Sequence, residues 1–315
     1  MKRINNFFKA KLIPLIVLVL IIVIASILSP VFLSGANVQN LFVQASTTMI
    51  VSMAMLMVIL TGGIDLSVGS VVAVSGVLVA GLMKSMPVGM AILLSLLAGV
   101  LFGTVNGIIV AKFDIAPFIV TLGMQNFARG CAYWYSRSQP ISWSSFSGAE
   151  AMYQLGSGKF LGIPYLAIIW VIMAIITFII LQYTVWGRIV YSIGGNIQAV
   201  KLSGIRVSAW QILPYVFAGF CSGLAGVLLT ARMGVGAPTS GTNMETDAIA
   251  AVIVGGTSFN GGVGTVSGAI IGVFIMAIIT NILDLMNVQA YPQMMLKGII
   301  MVAAVILSTI RDKRK

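Results

Sequence analysis

The sequence has 315 residues, of which 59% are hydrophobic and only 8% charged, and its mean hydropathy is +1.08. Soluble domains carry roughly 25% charged residues, so a soluble fold is excluded; at about 20 residues per span, one membrane domain (1–315) of roughly ten helices fills the chain. The net charge of +11, from 18 Lys and Arg against 7 Asp and Glu, sits mostly at segment ends, as orientation signals do, and does not describe a nucleic-acid surface.

The first apolar run, Leu12 to Phe32, follows Lys2, Arg3, Lys9 and Lys11. It is too long for a signal-peptide core and lacks a small-residue cleavage site, so an uncleaved span is expected. A short polar link leads into the second span, Leu41 to Leu60. Then Thr61-Gly62-Gly63-Ile64-Asp65-Leu66-Ser67-Val68-Gly69-Ser70 interrupts the hydrophobicity, and no charged residue lies between Lys11 and Asp65. Gly62-Gly63 stops one helix, and the side chains of Asp65 and Ser67 are suited to cap the next. A carboxylate at the end of an apolar segment equally fits a place in a translocation path.

Span three runs from about Leu66 to Met83, span four from Val88 to Ala111 and span five from Ile115 to Trp134. The polar interval 135–159 reads as a surface loop with room for an amphipathic helix. Span six covers about Phe160 to Tyr183, and a second polar interval, 184–208, follows with Arg188, Lys201 and Arg206 and no acidic residue. Span seven, Ala209 to Ala231, is joined by the link 232–246 to a short eighth piece, Asp247 to Val254. Spans nine (about Val263 to Ile282) and ten (about Pro292 to Ile310) complete an all-α polytopic fold.

The glycine chemistry recurs. Val58-Ile59-Leu60-Thr61-Gly62-Gly63 matches Val252-Ile253-Val254-Gly255-Gly256, with one residue fewer in the second copy, and Val68-Gly69-Ser70-Val71-Val72 with Ser75-Gly76 matches Gly262-Val263-Gly264-Thr265-Val266 with Ser267-Gly268. Weak repeats interrupted by glycine in corresponding places point to a transport site, although glycine pairs also serve close helix packing.

With both termini in the cytoplasm, ten alternating spans put Lys or Arg 2, 3, 9, 11, 112, 188, 201, 206, 311, 313, 314 and 315 inside against 84, 137, 159 and 232 outside. Arg129 and Lys297 are expected to snorkel to the interface, and Asn281 and Asp284 to make polar helix contacts or line a path. The interval 184–208 is then cytoplasmic. Within it Asn196 can cap a short helix and Gly204 can end it at the C′ position, with Ile197, Val200 and Lys201, or Ala199 and Leu202, on shared faces. Such a helix suits docking in a groove of a cytoplasmic partner, or lying on the lipid headgroups.

Three stretches taken together resemble the permease subunits of monosaccharide ABC importers of the ribose type, a family to which branched-chain amino-acid permeases are distantly related. They are Gly62 to Ser70, with its Ile64-Asp65-Leu66-Ser67 core, the run Gly194-Gly195-Asn196 through Leu202-Ser203-Gly204-Ile205, and Asp247 through Gly255-Gly256-Thr257-Ser258. The likeness covers nearly the whole chain in order. It implies a permease dimer in a bacterial inner membrane, a cytoplasmic ATPase that binds the ATP, and an extracytoplasmic sugar-binding protein. It further implies a coupling role for Gly194, Gly195, Asn196, Ala199, Leu202, Ser203 and Gly204. A low-affinity sugar path needs groups that touch hydroxyls weakly; Ser67, Ser70, Thr257, Ser258 and Asn260 suit this, beside Asp65 and Asp247. No functional residue is carried onto 135–159.

Other chemistries are poorly served. The absence of His removes Ser-His and Cys-His catalysis and imidazole metal sites. Cys131 and Cys221, both in apolar segments, do not make a disulfide framework or metal site. Gly156-Ser157-Gly158-Lys159 fails as a phosphate loop because Tyr153 replaces the first glycine and Phe160 the hydroxyl residue. A secondary transporter of a small polar solute remains the alternative, with Asp65, Asp247 and Asp284 as its ionisable candidates.

Overall fold

The computed structural model describes residues 2–313, and the side chains of 13–306 and 308–310. The basic side chains at 2, 3, 9, 11, 311 and 313 to 315, used above for orientation, lie outside those described.

The architecture is all-α, with α2 (Gly35–Leu60) as its axis. Every residue of α2 from Met49 to Leu60 is buried, which its unbroken apolar sequence allows and a one-faced helix would not. Ser34 caps it, its hydroxyl accepting the Asn37 N–H at 3.3 Å. Packed on α2 are α7 (Tyr165–Tyr183), α9 (Val207–Met233), α10 (Met244–Val254) and α11 (Val266–Leu285). α3 (Val68–Leu82) lies among α4 (Val88–Phe113), α5 (Pro117–Ser136) and α9, while α1 (Lys2–Leu28) packs on α11 and α12 (Ala290–Lys313) on α10.

Helices in lipid gain nothing from hiding apolar surface, so close backbone approach between small residues has to hold them. The α4–α9 pair is built this way. Gly99 and Gly103 of α4 lie against Gly219 and Gly223 of α9, and a Cβ on Gly103 would strike the carbonyl of Tyr215. The four-residue spacing of Gly99, Gly103 and Gly107 is the signature of this contact in the sequence.

Each expected span has a helix at its place, but only six helices among the described residues are long and apolar enough to cross a membrane: α2, α4, α7, α9, α11 and α12 up to Ile310. Ile13–Leu28 and α3 are shorter apolar helices. With 11 residues, α10 is too short to cross alone, and α5 carries Gln125, Asn126 and Arg129 along its length. Ten simple crossings are therefore not established.

Two intervals differ from expectation. The stretch 135–159 holds β1 (Ile141–Ser142) and α6 (Ala149–Ser157), and it is pinned to α9 by the buried Trp143, whose indole N–H donates to the Thr230 carbonyl at 3.1 Å. The hairpin of β2 (Lys159–Phe160) and β3 (Ile163–Pro164) delays the sixth span to Tyr165. The interval 184–208 is mostly α8 (Val185–Leu202), started by Thr184, whose hydroxyl accepts the Gly187 N–H at 3.2 Å.

Candidate functional site

The three glycine-bearing stretches, remote in sequence, meet at one place. Gly194 in α8 is wedged between the Leu60 carbonyl and the backbone of Gly261 and Gly262, with no room for a Cβ. Gly62 lies beside the Asn260 carbonyl and Gly261 beside the Gly62 nitrogen. Only glycine permits backbones to approach so closely from three sides.

The repeat is also one of geometry. At the end of α2, the Gly62 N–H donates to the Ile59 carbonyl and the Gly63 N–H to that of Val58, with Gly62 at φ +79°. At the end of α10, the Gly256 N–H donates to Ile253 and the Thr257 N–H to Val252, with Gly256 at φ +96°. Both are Schellman caps, in which a left-handed glycine turns the chain and its neighbour satisfies an earlier carbonyl. The residues that correspond are those matched in the sequence.

After the first cap, Asp65 and Ser67 do not cap α3 as expected. Ser67 occupies the N-cap position without a capping bond from its side chain. Instead Asp65 Oδ1 accepts the Ser67 N–H at 2.9 Å and its hydroxyl at 2.6 Å, and Ser67 Oγ accepts from Asn106 Nδ2 of α4 at 2.9 Å. Asp65 and Ser67 are each 1% exposed and Asn106 is fully enclosed. This buried chain fixes the α2–α3 turn to α4; Asn106 carries no sequence signal beyond being a lone amide in an apolar span. Thr121 of α5 also reaches the turn, its hydroxyl lying 3.2 Å from the Ile64 carbonyl.

The other candidates divide by burial. Ser70, Thr257 and Ser258 are buried, and Asn260 is exposed. Asp247 pairs with Lys297 of α12 at 2.9 Å, both about one-quarter exposed, so Lys297 does not snorkel: it finds a carboxylate on the neighbouring helix. Asp284 accepts from Gln293 at 2.8 Å, and Asn281 exchanges amide hydrogen bonds with Asn37 at 3.0 Å in both directions.

In α8 the helix breaks at Asn196 (φ −161°, ψ 97°), whose side-chain oxygen accepts the Ala199 N–H at 3.0 Å and restarts it. Ser203 then ends it and Gly204 follows at φ +81°. Val200 is buried with Ile189, Ile193 and Val207, whereas Leu202 stands 89% exposed. Gly195, Asn196, Ala199, Ser203 and Gly204 are also exposed, so this short segment offers its outer face to whatever docks there. Between it and the α2–α3 turn lies a cavity of about 240 Å³, lined among others by Gly62, Gly63, Asp114, Ile197, Gln211 and Tyr215.

The fold of the link 232–246 has no signature in its own residues. After β4 (Val235–Gly236), which pairs with β1, the chain turns back along α3: Gly236 abuts Gly76, and Gly241 abuts Gly69. Arg129 of α5 holds this return, donating to the carbonyls of Pro238 at 2.7 Å and Ser240 at 2.8 Å. One turn away Gln125 donates to Glu245 Oε1 at 2.9 Å. Arg129 is thus committed to backbone inside the bundle and does not snorkel. Thr121, Gln125 and Arg129, at four-residue intervals, make one polar edge of α5.

A family model described as branched-chain amino acid transport system / permease component matches residues 37–305. The chain is 42% identical over 307 residues to the ribose import permease protein RbsC of Bacillus subtilis, spanning 97% of this chain and 93% of that protein. To the RbsC of Haemophilus influenzae it is 38% identical over 301 residues (95% and 93%), and to the D-allose transport system permease protein AlsC of Escherichia coli 36% over 300 residues (94% and 91%). No solved structure gives a significant match.

Proposed function

This chain belongs to the branched-chain amino acid transport system / permease component family, and on that premise we propose that it is the permease subunit of an ATP-driven monosaccharide importer, with ribose the first candidate solute. The observation that carries the reading is the meeting of Gly194 with Leu60 and with Gly261-Gly262. A cytoplasmic ATPase pressing on residues 196–204 would act, through α8, on the turns that close both halves of the repeat. Ile197 and Gly62-Gly63 line one cavity, so displacing the segment changes the space beneath the first turn.

In this reading the chain lies in a bacterial inner membrane with both termini cytoplasmic and pairs with a second permease, a copy or a relative. An extracytoplasmic binding protein delivers the sugar and supplies most of the selectivity. The path would pass the small hydroxyl and amide side chains near the two turns, among them Ser67, Ser70, Thr257, Ser258 and Asn260, with Asp65 and Asp247 holding its frame.

Ion coupling is the weaker reading. It wants a carboxylate free to gain and lose its cation during the cycle, whereas Asp65, Asp247 and Asp284 each hold a partner and Glu245 is tied to Gln125 through one oxygen. Purification in mild detergent from the native membrane, with mass spectrometry of what accompanies the chain, tests the choice. An ATPase with two nucleotide-binding halves is expected, and calorimetry on the co-encoded binding protein then names the sugar. Ion-driven uptake by the chain alone in liposomes would reverse the assignment.

A further inference from the structure

We propose that the return segment 234–243 is one wall of a water-filled passage inside the membrane, and that Thr239, Thr242 and Asn243 present hydroxyl and amide groups there to a neutral, hydroxyl-bearing solute. The proposal rests on the importer reading for the solute but not for the passage.

Depth is the first step. Gln125 lies roughly 12 Å from the start of α5 and Arg129 roughly 10 Å from its end, at the helical rise of about 1.5 Å per residue. Their contacts with Glu245, Pro238 and Ser240 therefore hold the return segment near the middle of α5. Gly236 and Gly241 press on Gly76 and Gly69 of α3; Gly76 in turn meets Gly226 of α9, a helix long and apolar enough to cross the membrane, roughly 10 Å inside its end, and Gly69 lies roughly 10 Å farther in.

Backbone state is the second. Beyond β4 the segment is neither helix nor strand until Met244. Irregular backbone at this depth persists only where protein covers it or where it lines a water-filled cavity. Gly236, Ala237 and Pro238 are covered, but Thr239, Thr242 and Asn243 are exposed, and Ser240 and Thr246 partly so. The Thr242 hydroxyl donates to the Thr239 carbonyl at 2.6 Å, but hydrocarbon would leave the Thr239 hydroxyl and the Asn243 amide without partners, so water fits this face and lipid does not.

The third step is that the wall is built to stay in place. Glu245 is only 7% exposed; Oε1 takes the Gln125 hydrogen bond, and Oε2 sits at the first turn of α3 beside Gly69, with no hydrogen-bond partner among the described residues. A carboxylate there is favoured by the helix N-terminus. Arg129 meanwhile fixes two carbonyls, so the return segment is tied to α5 at Pro238, Ser240 and Glu245. Asn243, at φ +65°, takes the left-handed turn that starts α10.

The test uses the whole complex in proteoliposomes, with Cys131 replaced by serine and the buried Cys221 retained. Thiolate attack and a charged reagent both require water, so Thr239→Cys and Thr242→Cys should react with a small charged methanethiosulfonate at least about tenfold faster than Leu97→Cys, on the outer face of α4. During ATP-driven turnover with the binding protein, D-ribose should slow the Thr242→Cys reaction at least about twofold, by occupancy of the passage. Reaction as slow as at Leu97 overturns the passage. Fast reaction that D-ribose leaves unchanged, in vesicles that take up D-ribose, overturns the solute contact. Fast reaction in vesicles without uptake keeps the passage and counts against the importer reading alone.

Discussion

Gly262 donates its backbone N–H to the Leu60 carbonyl at 2.9 Å, a bond that joins the end of α2, in the first copy of the repeat, to the turn of the second. Gly194 lies against both partners. A Cβ at 194 would collide with main chain that has no rotamer to yield, and overpacking of this kind costs about 1–3 kcal/mol. Gly194→Ala should therefore lower the unfolding temperature of the purified complex and abolish uptake. Gly195→Ala, with nothing within 4 Å of its Cβ position, should leave the unfolding temperature at its wild-type value. Equal shifts in unfolding temperature for the two would remove Gly194 from the junction.

Gly204 faces open space, so a larger side chain there meets no neighbour, but at φ +81° a β-branched residue is strained by about 1–2 kcal/mol. The strain falls on the end of the segment restarted by Asn196. Gly204→Val should leave the membrane bundle intact and ATP hydrolysis measurable while uptake falls to background. Uptake at the wild-type rate would detach residues 196–204 from coupling.

Replacing Asp65 with alanine removes the acceptor for two hydrogen bonds from Ser67, in a place without solvent to replace it. A buried donor left unmet costs about 1–3 kcal/mol, so Asp65→Ala should destabilise the complex and stop transport. Asp65→Asn keeps one carbonyl acceptor and should recover part of both. If asparagine is no better than alanine, the charge rather than the hydrogen-bond geometry matters.

For Lys297 and Asp247, removal of one charge strands the other in a partly enclosed position. Lys297→Ala should reduce the amount of folded protein in the membrane, and Asp247→Ala/Lys297→Ala should recover some of it, a coupling of about 1 kcal/mol in a double-mutant cycle. Additive losses would mean that the 2.9 Å pair contributes nothing.

The repeat and the α8 segment could be read from the sequence because both depend on local rules. A left-handed glycine after an apolar helix makes a Schellman cap wherever it occurs, and Gly62 and Gly256 do so alike. Asn196 and Gly204 likewise carry their own start and stop. The turn at Asp65 was legible only in its residue types: Ser67 bonds back to Asp65 because Asn106, far along the chain, supplies the remaining hydrogen bond. The return of 234–243 was illegible for the same reason. An irregular stretch has no hydrophobic period, and what buries this one is Gly69, Gly76 and Arg129 on other helices. The available hint was the repeated polar position on α5 at Thr121, Gln125 and Arg129.

The glycine seam between α4 and α9 has a bearing on how motion in this protein can be observed. Where two helices meet main chain to main chain, no side chain can swing to let one slide past the other, so Gly99, Gly103, Gly219 and Gly223 join the pair as a single rigid strut. That strut supplies a fixed origin. Spin labels or fluorophores on the outer face of α4 would keep their separation from labels at the exposed start of α9, at Ser208 or Leu213, through every stage of a cycle, and a label at Leu202 measured against them would record the travel of the α8 segment alone.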